Sequence, residues 1–103
     1  MKHILQNNEK TKEYLDSLPR IYLVACWAHY GVREFPFQKF KRGTVMPMVW
    51  NYNDHNGYAD QFELIPIEYT TTGFIYTWTF QKDVAEKLAD VLEKEMQAKY
   101  NQT

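Results

Sequence analysis

The chain has 103 residues and a formal net charge of −1, from 12 Lys plus Arg against 13 Asp plus Glu. That length allows a single domain of residues 1–103, and the charge balance lacks the basic excess of a general polyanion binder. No apolar run reaches the roughly 20 residues of a membrane helix. Met1-Lys2-His3-Ile4-Leu5 lacks the apolar stretch of a signal peptide, and a lone Cys26 makes no internal disulfide, so the expected compartment is the cytoplasm.

Residues 9–18 read as a short helix stopped by Pro19, with Tyr14, Leu15 and Leu18 on one face. Residues 21–30 are almost wholly apolar, and periodicity does not classify them. Pro19 before and Gly31 after suit a helix; Ile, Tyr, Val, Cys and Trp suit a buried strand, the reading taken here. Residues 35–41 then return beside it through Gly31-Val32. Residues 44–52 form a further strand. Its connection, Asn53-Asp54-His55-Asn56-Gly57, holds an Asn-Gly turn signal. Pairing Tyr52 with Tyr58 sets Met48 near Phe62 and Met46 near Leu64.

Residues 62–69 and 74–80 read as a hairpin across Thr70-Thr71-Thr72-Gly73. In that register Ile65, Ile67, Tyr69, Phe74, Tyr76 and Trp78 share one face. Residues 82–100 are the clearest helix, with Val84, Leu88, Val91, Leu92 and Met96 at helical spacing and acid-before-base pairs such as Asp90/Lys94. Its apolar stripe is expected on the Tyr76/Trp78 face. Pro36, Pro47 and Pro66 fall inside predicted strands, where proline belongs at an edge or a bulge. The fold class is therefore α+β. An antiparallel, curved sheet of four or five strands carries the C-terminal amphipathic helix on one face, with a short N-terminal helix.

Candidate chemistry is sparse. Asp54, Asn56, Gly57, Asp60 and Glu63 partly match a calcium loop, but Tyr52 stands where the first carboxylate belongs, and a plain turn needs the same residues. His3, His29, His55 and Cys26 show no ligand spacing, so no metal and no cofactor are expected. Cys26 in an apolar run reads as a buried thiol. No catalytic set appears, which favours binding over catalysis; a small enzyme with a pocket in the concave sheet is the third reading.

Two surfaces remain. Met46, Met48, Trp50 and Phe62 form an apolar stripe suited to a partner protein, either a second copy or another chain. The same stripe is core if Ile4, Leu5, Tyr14, Leu15 and Leu18 fold over it. Arg33, Lys39, Lys41 and Arg42 interleave with Phe35, Phe37 and Phe40, a pattern that suits single-stranded nucleic acid. The leading expectation is a small self-associating interaction module; the alternative is a nucleic-acid-binding accessory protein.

Overall fold

The computed structural model describes residues 3–53 and 61–101. Its elements in order are β1 (Ile4–Gln6), α1 (Glu9–Asp16), β2 (Arg20–Cys26), β3 (Tyr30–Phe40), β4 (Pro47–Asn53) and β5 (Gln61–Pro66). A 3-10 turn (Ile67–Tyr69), β6 (Phe74–Thr79) and α2 (Lys82–Asn101) follow. The class is α+β, and among the described residues the strands number six rather than four or five. The extra one is β1, three residues too short to show a period; it pairs with β5, Ile4 opposite Glu63.

The chain divides into two units, each built from two stretches. Unit 1 comprises Met1–Arg20 and Phe35–Thr71; unit 2 comprises Ile21–Glu34 and Thr72–Thr103. Strand β3 runs through both, its first half in unit 2 and its second in unit 1.

In unit 1 the strand order is β1-β5-β4-β3, all antiparallel. The β4–β5 register is Tyr52 opposite Phe62, Trp50 opposite Leu64 and Met48 opposite Pro66. This is four residues from the expected pairing, so side-chain parity survives and Met48, Trp50, Phe62 and Leu64 still share a face. Residues 54–60, with most of the calcium-like motif, lie outside the described residues.

Two of the three prolines sit at strand ends. Pro47 opens β4 and Pro66 closes β5, where a missing ladder donor costs least. Pro66 also ends the predicted 62–69 strand. Ile67–Tyr69 turns instead, and the Thr70 hydroxyl and backbone N–H both donate to the Ile67 carbonyl (2.6 and 3.1 Å).

Helix α1 starts at Asn8, whose side-chain oxygen accepts from the Thr11 N–H (2.9 Å). Its Leu15 buries against Trp50 and Leu64, with Leu5, Leu18, Met48 and Phe62 packed around them. This is the core of one face of unit 1.

In unit 2, β6 pairs antiparallel with β2: Tyr22 opposite Thr79, Leu23 opposite Trp78, Val24 opposite Thr77. The expected hairpin of residues 62–69 with 74–80 is therefore corrected; β6 takes β2 as its neighbour. Helix α2 begins at Lys82 as expected and packs through Ala85 and Ala89 on Val24, flanked by Tyr22, Tyr30, Val32, Leu88 and Leu92. Two alanines on the contact line let the helix approach the sheet closely. Val24 and Thr77 face α2, so alternation turns Leu23 and Trp78 to the other face. The expected seat on Tyr76/Trp78 is thus also corrected. Val91, 51 % exposed, is not part of the packing stripe.

Candidate functional site

The predicted site residues do not gather at one place. In unit 1, Trp50 is only 6 % exposed and Met48 and Phe62 are half-buried, all packed in the cluster under α1. Met46 is half-buried in the segment before β4. The expectation that Met46, Met48, Trp50 and Phe62 face a partner meets a physical obstacle here. Leu15 of the N-terminal helix packs in one cluster with Trp50, and Leu18, Met48 and Phe62 pack against that cluster; Met46 is not part of it.

Of the basic set, Lys39, Lys41 and Arg42 are exposed in unit 1 at the end of β3 and the turn after it. There Phe37 and Phe40 meet edge to face, ring centroids 5.2 Å apart. Arg33 belongs to the unit 2 half of β3. The structure therefore does not assemble the four cations into one groove within either unit. It does bring one of them, Lys39, to the same cleft as Trp50. Cys26 is a half-buried free thiol. Among the described residues no group of three or more His, Cys, Asp or Glu is placed to hold a metal ion. Nor is any described helix long and apolar enough to cross a membrane.

The surface that sequence reading missed lies in unit 2, along β6. This strand ends the sheet order, so among the described residues one of its edges has no neighbouring strand. Phe74 is 66 % exposed and Tyr76 50 %, and Phe80 just beyond the strand is also exposed. Trp78 and Phe80 stack edge to face at 5.5 Å. From Tyr69 through Gln81 no residue is charged, although charged residues make up 24 % of the chain. Edge strands normally carry charge to repel other strands. That uncharged stretch was the legible signal, but the hairpin reading assigned its aromatics to the core.

A bulge modifies this edge. Val24 pairs with Thr77 and Ala25 with Ile75, which leaves Tyr76 as an extra residue on β6. A bulge breaks the ladder and re-aims the side chain it carries. Tyr76 is accordingly outside regular pairing.

The turn beside β6 is built to hold an exposed indole. Trp27 lies against Gly73, where an added Cβ would stand 2.6 Å from the ring and 2.7 Å from the Cys26 carbonyl oxygen. Only glycine leaves that space. Ala28 has φ +108°, a region L residues avoid, and the Trp27 N–H donates to the His29 carbonyl across it (3.0 Å). Helix α2 anchors the turn through Glu93. One carboxylate oxygen meets His29 Nδ1 at 2.6 Å, and the other accepts the Tyr30 N–H at 2.8 Å. Gln97 Nε2 donates to the first at 3.1 Å. The His29 contact, then the Tyr30 N–H and the Gln97 amide, stabilise the ionised form and lower the Glu93 pKa to about 2. Trp27, Phe74, Tyr76 and Phe80 are each exposed, and the turn that carries Trp27 is tied to α2 through Glu93.

Comparison with known proteins adds no relative: no family model, no curated protein and no solved structure matches this chain.

Proposed function

We propose that the chain is a protein-interaction module that self-associates through the β6 side of unit 2. The observation that carries this reading is the uncharged, aromatic edge strand with Phe74 and Tyr76 exposed. Interface cores are depleted of charge and enriched in Tyr, Trp and Phe. A second copy is the partner that fits. A two-fold interface uses one patch twice, and a patch without charge sets no like charges against each other. The bulge at Tyr76 interrupts the ladder, so the aromatic side chains supply the contact rather than a continuous run of strand hydrogen bonds.

Sedimentation at micromolar protein tests it. The wild type is expected at twice the 12.4 kDa chain mass. Phe74→Glu combined with Tyr76→Glu is expected at the monomer mass with an unchanged circular dichroism spectrum, because both side chains are exposed and each charge is stranded in the interface. Trp50→Glu is expected to lose the fold instead, since Trp50 lies in the unit 1 core. A monomeric wild type, or a Phe74/Tyr76 variant that still pairs, overturns the reading.

A further inference from the structure

Unit 1 holds a cleft that owes its polar wall to a second bulge. Phe37 pairs with Val49 and Lys39 with Met48, so Gln38 is an extra residue on β3. In an unbroken strand, side chains 38 and 39 would point to opposite faces. Here both line one cleft, together with Tyr14 of α1 and an apolar floor of Leu5, Trp50 and Leu64. Bulges recur next to binding sites because they redirect a side chain in this way.

The orientation of the Gln38 amide follows from chemistry. Trp50 Nε1–H is only a donor, and it meets Gln38 Oε1 at 3.0 Å. That atom must be the oxygen. The Tyr14 hydroxyl donates to the same oxygen at 2.6 Å. With Oε1 bonded twice and held from two elements, the two N–H donors on Nε2 are left over among the described residues. The next residue, Lys39, adds an exposed ammonium. Among the described residues no Asp or Glu lines the cleft, and His3 is part of its wall. The volume is about 480 Å3, within the roughly 300–1,000 Å3 of small-molecule sites.

We infer that this cleft binds a small organic carboxylate with an apolar body. The body lies on Leu5, Trp50 and Leu64, and the carboxylate takes donors from Gln38 Nε2 and Lys39 Nζ. One cation and one amide suit a monoanion; a phosphate dianion asks for more positive charge than the cleft holds. The inference stands on unit 1 alone and is independent of self-association through unit 2.

Titration with 3-phenylpropionate, followed by the Trp50 indole and Gln38 side-chain N–H resonances, tests it. Both signals are expected to shift with saturation at millimolar probe. Lys39→Met keeps the stem and removes the charge, and is expected to weaken binding about tenfold or more. Gln38→Glu keeps an acceptor for Tyr14 and Trp50 but replaces the free donors with an oxygen, and is expected to abolish binding. Neutral 3-phenylpropionamide is expected to bind more weakly than the acid. Absence of any shift in the wild type overturns the inference. So do equal binding by both variants, equal binding of the amide, or tighter binding of inorganic phosphate.

Discussion

Replacing Leu15 by alanine measures whether α1 is part of the structure or merely rests on it. Leu15 is 4 % exposed and touches Trp50 and Leu64 in the unit 1 core. Truncation removes buried carbon and leaves a cavity whose cost depends on how far its walls collapse. Two walls are held. The Trp50 ring is tied to Gln38 through its N–H, and α1 is tied to the same amide through Tyr14. The loss therefore belongs in the upper part of the usual range for buried leucine, about 3–5 kcal/mol. Domains of this size have only about 5–15 kcal/mol in total. The Tm should accordingly fall by more than about 10 °C. Urea denaturation followed by circular dichroism reads the loss, and the Trp50 indole resonance reports on the site itself. Val91→Ala, on the exposed side of α2, serves as the control and should change stability by no more than about 0.5 kcal/mol. A loss below about 1 kcal/mol for Leu15→Ala would refute the packing and return the Met48/Trp50 stripe to service as a partner surface.

Two further changes address unit 2. The Glu93 carboxyl titrates at about 2 when folded against an ordinary 4.5, so its stabilisation is complete above 4.5 and is lost as pH falls toward about 2. Glu93→Gln should flatten the fall of Tm with acid across that window, read by thermal melts at stepped pH; an unchanged slope would remove the anchor from the account. Ala28→Gly relieves the positive φ and should stabilise the chain by about 1 kcal/mol, measured as a higher urea midpoint.

Local pattern carried most of the element boundaries. Residues 82–100 were legible as a helix because long amphipathic spacing has few alternatives, and the structure extends it only to Asn101. The strand reading of residues 21–30 holds for β2, which ends at Cys26. The partner of β6 was not legible, although β4 beside β5 and β3 beside β2 were. Residues 62–69 and 74–80 flank a Gly-containing loop as hairpin strands do, yet nothing in a period of two says which strand lies alongside. Pro66 and the Thr70 side chain end β5 early, and β6 finds β2 instead. The cleft was hidden for a related reason. A bulge exists only relative to a partner strand, so the joint position of Gln38 and Lys39 follows from the register with β4. Proline in a predicted strand was the hint that irregularity lay nearby.

Neither unit is contiguous, and this imposes a schedule on synthesis. Every residue of unit 1 has been made once Thr71 is joined, whereas Ile21–Glu34 must wait for Thr72–Thr103. At about 5–20 residues per second, that delay is on the order of 2–6 s. Until Ala85 and Ala89 have been joined, Val24 lacks the line that finally buries it. The growing chain thus presents the apolar stretch Ile21, Leu23, Val24 and Ala25 before β6 and α2 are available. Translational pausing after Thr71 should lengthen that exposure.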